Sequence, residues 1–287
     1  MSADDHPFPE FPPGDWRLVV DPPRRGAWNM AVDEAILEAA GRGDVSPTLR
    51  LYAWEPACLS LGYAQPYGEA DLDSLNENGW EMVRRPTGGR AILHVDELTY
   101  SVAGPQEEAR LSGSVLESYR LLSSALLRAL ELLGIPAVAL PKKDQDPDEN
   151  PNAGINPVCF DIPSHYEITV HGKKLIGSAQ ARRKNGVLQH GSLPLHGDLR
   201  RITQALVYPG PIERKLAGER LLQRAVTAES VLGAAPSWST AAQAFITAFE
   251  ERLNVKLQPG NLSPAELERA GELVLEKYAH PAWTRKI

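Results

Sequence analysis

Residues 166–195, YEITVHGKKLIGSAQARRKNGVLQHGSLPL, restrict the fold more than any other stretch of this chain. EITV alternates polar and apolar side chains, as a strand with one buried face does. His171-Gly172 stands where a two-residue hairpin turn fits, and KLIGSAQARR returns as the partner strand. LQHGSLPL (188–195) reads as a further strand. Strands joined this tightly pair antiparallel, and their apolar face needs a cover.

The remaining pattern supplies more strands and that cover. WRLVVD (16–21), LRLYAW (49–54) and the stretches 80–85, 91–94, 97–103 and 137–140 read as short strands, with PACLSLGYAQP (56–66) as a strand and loop. NMAVDEAILEAA (29–40) has helical spacing and stops at Gly41. In SGSVLESYRLLSSALLRALELLGIP, Ser114 and Glu117 form a capping box, and Gly134 with Pro136 ends the helix. Beyond about residue 200 the pattern turns helical, closing with SPAELERAGELVLEKY, where Ser263 caps, Pro264 begins and Glu266 completes a second capping box. The expectation is an α+β fold of mixed and antiparallel sheets with packed helices. It forms a single domain over 16–287 whose C-terminal portion is helical from about 215. Residues 1–15, acidic and proline-rich, are expected to be a flexible tail, and polar 142–157 a mobile loop.

Thirty basic against 37 acidic residues give a net charge of −7, which argues against nonspecific nucleic-acid binding. No apolar run reaches the roughly 18 residues of a membrane span, and the N-terminus lacks the basic and apolar regions of a signal peptide. Two cysteines are too few for a disulfide framework, so a reducing cytoplasm is expected. The seven histidines are scattered and no Cys-x-x-Cys occurs, so no metal site is expected. No G-x-S-x-G supports a serine hydrolase.

Three stretches bear on chemistry. RRPTGGRAILH (84–94) joins arginines to a double glycine, with His94 following. It is either a loop whose backbone approaches an anionic ligand or a plain β-turn with solvated arginines. HGKKLIGSAQ (171–180) puts Lys174 on a hairpin strand ahead of the small residues Gly177, Ser178 and Ala179, which leave room for a ligand across the strand. A surface hairpin lysine is the other reading. Cys159, in PVCFDIPSHYE, follows the polar loop some fifteen residues before Lys174. An ordinary thiol is only about 3% thiolate at neutral pH, and a nearby ammonium raises that fraction about tenfold. Cys159 is therefore either such a nucleophile or an inert buried thiol, and Cys58 in PACLSLG fits the inert case.

Five segments in order, NMAVDEAIL (29–37), PACLSLGYAQ (56–65), RRPTGGRAILH (84–94), GKKLIGSA (172–179) and QHGSLPL (189–195), resemble the lipoate/octanoate branch of the biotin–lipoate protein ligase superfamily. Within it, CFDIPSHYE (159–167) is similar to the octanoyltransferases that work through an acyl-enzyme cysteine. The resemblance implies the family's catalytic-domain fold, with Cys159 as acyl acceptor and Lys174 as pocket lysine. It also implies an acyl pocket drawing on Arg85, Gly88, Gly89, His94, Gly62, Gln65, Gly177, Ser178, Ala179 and His190. Arg90 stands where the family often has a third glycine. The chain ends at EKYAHPAWTRKI, near where that catalytic domain ends, so no accessory domain is expected.

By that resemblance octanoate moves from acyl carrier protein to Cys159, then to a lysine of a lipoyl-domain protein such as glycine cleavage H protein or a 2-oxoacid dehydrogenase E2 subunit. The chemistry requires no cofactor, nucleic acid or membrane. The acidic donor is expected to dock on Arg84, Arg85 and Arg90 together with Arg182, Arg183 and Lys184. The alternatives are an ATP-dependent lipoate ligase, an amidotransferase between lipoyl-domain proteins, and an acyl-binding protein without turnover.

Overall fold

The hairpin forms where the sequence predicts it, with His171 at φ 50° and Gly172 at φ 75°, the paired left-handed residues that such a turn requires. The structure, a computed structural model, describes residues 11–141, 166–183 and 185–287. In chain order come β1 (Gly14–Val20), α1 (Gly26–Arg42), β2 (Thr48–Tyr52), β3 (Cys58–Leu61), α2 (Leu72–Glu77), β4 (Glu81–Arg84), β5 (Ile92–His94) and β6 (Glu97–Pro105). Next are α3 (Val115–Leu132), β7 (Val138–Pro141), β8 (Tyr166–Val170), β9 (Lys173–Arg183) and β10 (Gly186–Pro194). The chain continues through α4 (Pro211–Arg224), α5 (Ala228–Leu232), α6 (Trp238–Leu253), β11 (Val255–Pro259), α7 (Pro264–Leu273) and α8 (Pro281–Thr284).

Among the described residues eight strands form one mixed sheet in the order β11-β1-β2-β6-β10-β9-β8-β7. β1 runs parallel to both neighbours, and every pairing from β2 outward is antiparallel. A smaller sheet, β4-β3-β5, stands beside it. Alternation along β6 divides the two faces of the large sheet. Leu98, Tyr100 and Val102 enter the core with α3 and α6, where Tyr100 meets Phe245 and Phe249. Thr99, Ser101 and Ala103 point the other way, and Ala103 packs with α1 and α7. This is the expected α+β arrangement of mixed sheets and packed helices. No helix among the described residues is long and apolar enough to cross a membrane.

Two elements escape the sequence pattern. β11 interrupts the helical C-terminal portion and adds a parallel strand beside β1. Asn254, at φ 48°, ends α6, and a five-residue strand follows with Val255 and Leu257 buried. So short a run carries too little alternation to register. α2 is a six-residue helix capped by Asp71, whose carboxylate accepts from Ser74 N at 3.1 Å. The last residues of the N-terminal stretch are tied down: Asn254 Nδ2 donates to Phe11 O at 2.7 Å, Arg110 donates to Pro12 O, and β1 begins at Gly14. Both capping boxes form as read, at Ser114–Glu117 and Ser263–Glu266.

Candidate active site

Between β9, β10 and the smaller sheet lies a cavity of about 490 Å³, within the range of roughly 300–1,000 Å³ usual for small-molecule sites. Its inner end is built from buried side chains of Met30, Tyr52, Trp54 and Thr99, and its outer rim from half-exposed Val115 and Leu116 in the first turn of α3. Lys174, Gly177, Ser178, Ala179 and His190 line it from the large sheet, and Arg85, Gly88, Gly89 and His94 from the other side.

Lys174 is placed by an irregularity in the hairpin. Thr169 pairs with Lys174 but Ile168 pairs with Ile176, leaving Leu175 as the extra residue of a β-bulge. Leu175 and Ile176 therefore both enter the core, which successive residues of a regular strand do not, while Lys174 faces the cavity. Lys174 is 3% exposed and its ammonium pairs with Glu167 Oε1 at 3.1 Å. Lys174 is thus no surface lysine. Small residues keep the neighbouring strands close: a Cβ on Gly191 would lie 2.5 Å from Gly177 O.

The glycine loop is held from beneath. Arg85 is 3% exposed and donates to Ser60 O (2.9 Å), Gly88 O (2.9 Å) and Arg90 O (2.7 Å). Gly89 takes φ 91°, open to glycine at little cost. Gly62 and Gln65 do not line the cavity, contrary to the resemblance. Gly62 packs so tightly under the loop that a Cβ there would sit 1.8 Å from Gly89 O, while Gln65 accepts from Gly62 N at 3.2 Å and donates to Glu69 at 2.7 Å. They shape the wall from behind it.

Two buried relays reach the cavity. Asp33 on α1 accepts from Arg50 (2.7 Å), Tyr52 (2.9 Å) and Ser101 (2.8 Å), and lies 3.4 Å from His190 Nδ1, whose other nitrogen meets Thr87 Oγ1 at 2.6 Å. Burial alone would raise the Asp33 carboxyl, but Arg50 and His190 outweigh it and hold it below its ordinary value. Burial pushes the His190 imidazole down, despite Asp33. In the second relay His94 sits between Glu97 (2.5 Å) and Ser60 (2.8 Å), with Trp54 stacked on its ring at 4.0 Å. Trp54, Tyr52, Met30 and Tyr119, which all line the cavity, escaped the sequence reading. Trp54 and Tyr52 were visible as aromatic residues ending an alternating strand; nothing local marked the other two.

The expected docking arginines are mostly not available. Arg84 is fully buried and donates to the carbonyls of Gly62 (2.8 Å), Gln65 (2.6 Å) and Thr284 (2.9 Å), so it fastens the C-terminal segment rather than a partner. Arg85 is committed to the loop, and Arg90 faces Glu69 at 3.5 Å. Arg182 turns inward to Leu111 O and Ser118 Oγ, both at 2.9 Å, which leaves Arg183 exposed. Cys159, loop 142–157 and Lys184 lie outside the described residues. Burial raises the Cys58 thiol well above its ordinary value, the inert case expected of it. Among the described residues no group of three or more His, Cys, Asp or Glu is arranged to hold a metal.

A mixed-sheet α+β fold enclosing an oily cavity with one buried ammonium defines a small-molecule site. Residues 25–250 match the family model described as the lipoyl protein ligase A/B catalytic domain, and the chain belongs to that family. It is 43% identical over 275 residues to a protein named octanoyltransferase LipM from Symbiobacterium thermophilum, covering 95% of this chain and 98% of that one. Among solved structures it resembles a bi-partite lipoate protein ligase from Thermoplasma acidophilum (TM-score 0.77, 26% identity, 95% and 96% of the two chains). It also resembles a T. acidophilum protein described as a putative lipoate protein ligase with bound lipoic acid (TM-score 0.76, 26% identity, 95% and 99%).

Proposed function

We propose that this protein is an octanoyltransferase of protein lipoylation. It takes the octanoyl group from the phosphopantetheine thioester of acyl carrier protein and delivers it to a lysine of a lipoyl-domain protein, as one catalytic domain over 16–287 working in a reducing cytoplasm. The observation that carries this reading is the 43% identity, along nearly the whole of both chains, to a relative named for that activity. The cavity supports it. An eight-carbon chain buried there gains roughly 5 kcal/mol at about 0.8 kcal/mol per methylene, enough to favour it over much shorter chains.

Cys159 is the proposed acyl carrier, because two macromolecular substrates visit in turn and a thioester holds the acyl group between visits. Its thiolate attacks the carrier thioester carbonyl, the pantetheine thiolate departs, and an acyl-cysteine remains. The neutral ε-amine of the acceptor lysine then attacks that carbonyl, Cys159 leaves as thiolate, and the amine loses its proton as the amide forms. Lys174 supplies the positive charge that favours the attacking thiolate and then the oxygen of each tetrahedral intermediate. Exchange between thioesters is nearly balanced and thioester to amide runs downhill, so the sequence needs no ATP.

The test mixes octanoyl-carrier protein, enzyme and a lipoyl domain without ATP and reads the lipoyl domain by intact mass. One octanoyl group on its lysine is expected. The structural likeness to proteins described as lipoate ligases keeps a second reading in view, adenylation of free lipoate. Modification only with ATP and lipoate would establish it, and charging only from an octanoylated lipoyl-type protein would establish an amidotransferase.

A further inference from the structure

The outer side of the glycine loop carries a basic, aromatic face that the acyl chemistry does not use. Tyr63 N donates to Thr87 O at 2.9 Å, and Trp283 Nε1 donates to Arg84 O at 2.8 Å, so both rings flank the loop whose inner side lines the cavity. The two rings meet edge-on at 5.8 Å. Lys286 lies over both, its Nζ 3.2 Å from the Tyr63 centroid and 3.9 Å from that of Trp283. Arg183, exposed at the end of β9, reaches Pro86 O at 3.5 Å from the other side. Arg285, also exposed, lies over Tyr67 at 5.4 Å.

Three cations gather on this face within reach of the glycine loop. Lys277 stands over Trp283 as well, at 4.3 Å, but Glu34 neutralises it at 2.5 Å. Among the described residues no carboxylate side chain lies within ion-pair distance of Arg183, Arg285 or Lys286. Partial burial, and after it the proximity of Arg84, Lys277 and Arg183, brings the Lys286 ammonium down to about 8. Two aromatic rings fix that ammonium in place, so presenting it to an anion costs little side-chain entropy. On a protein of net charge −7, a local positive face beside the cavity favours the landing of an acidic partner there.

We propose that Arg183 and Lys286, framed by Tyr63 and Trp283, form the docking face for an acidic acyl-carrier domain. The face receives carboxylates and the phosphodiester of the carrier's thioester arm on the outer side of residues 86–90. The acyl end enters the cavity on the inner side. This rests on the transferase reading above and adds to it a surface and two residues. Steering of this kind acts on the association rate and fades with salt.

The experiment compares wild type, Arg183→Glu/Lys286→Glu and a control reversal, Lys256→Glu, on the far edge strand β11. Each is assayed with octanoyl-carrier protein and with the small donor octanoyl-pantetheine, and carrier binding is read separately by fluorescence anisotropy. The double reversal is expected to lower kcat/KM with the carrier by roughly 10- to 100-fold at low salt, with the loss shrinking at high salt. Turnover of the small donor should stay within about twofold of wild type, and the control should match wild type. Equal loss with both donors, or undiminished kcat/KM and binding with the carrier, overturns the docking face. If no enzyme transfers octanoate from either donor, the transferase reading fails, and anisotropy still decides the surface: salt-sensitive binding lost only in the double reversal upholds it, and its absence sinks it. Arg183→Gln/Lys286→Gln, which only neutralises the charges, should show a smaller loss of the same kind.

Discussion

Gly62→Ala tests whether the loop at 86–90 is shaped from below. A Cβ at Gly62 would lie 1.8 Å from Gly89 O, and a C···O contact relaxes at about 3.3 Å, so the carbonyl must retreat by about 1.5 Å. Overpacking of this kind costs about 1–3 kcal/mol of stability, measurable by urea unfolding. Because Gly89 lines the cavity, the same retreat misplaces the wall, and a shift near 1 Å lowers turnover by about 10²-fold. Gly88→Ala is the matched comparison. No atom lies within 4 Å of a Cβ built there and its φ is not left-handed, so stability should stay within about 0.5 kcal/mol of wild type. The assay pairs urea midpoints with octanoyl transfer for both variants. If Gly62→Ala unfolds and turns over like Gly88→Ala, the loop is not supported in the way described.

Three further outcomes follow from the site. Lys174→Met should lower the rate of acyl-enzyme formation by roughly 10²–10³-fold while retaining the fold, measured by quench flow and circular dichroism; a wild-type rate would remove Lys174 from the chemistry. Burial holds His190 below its ordinary value of 6.5, so the unfolded chain takes up a proton first as pH falls. The stability it contributes is therefore present above about pH 6.5 and lost as pH falls below it, and His190→Gln should flatten the decline in unfolding free energy below about pH 6.5; an unchanged slope contradicts this. With Lys286 at about 8 against an ordinary 10.5, about half its amine is neutral at pH 8 and under about 1% of an ordinary lysine's, so limiting acetic anhydride should label Lys286 ahead of the other lysines in peptide mapping; uniform labelling of the lysines would refute it.

The sequence was legible wherever a local pattern coincided with a local cause. The hairpin turn at His171-Gly172 and the two capping boxes needed only neighbouring residues, and all three formed as read. The small strand residues 177–179 lie on the cavity because strand 173–183 does. Arg84 and Arg85 misled because a run of arginines beside glycines looks the same whether it meets an anion or backbone carbonyls. Only the tertiary path of Tyr63, Gln65 and Thr284 reveals carbonyls as the partners. The bulge at Leu175 was hidden for a similar reason: it exists only relative to β8. The face at Lys286 joins residues more than two hundred positions apart and leaves no trace in any short window.

The most direct test is a single-turnover mass measurement on the enzyme itself, with octanoyl-carrier protein and no acceptor or ATP. Wild type should gain one octanoyl group, mapped to the peptide containing Cys159 and released by hydroxylamine, while Cys159→Ala gains none. An unmodified wild type, or an adduct that persists in Cys159→Ala, contradicts transfer through that thiol.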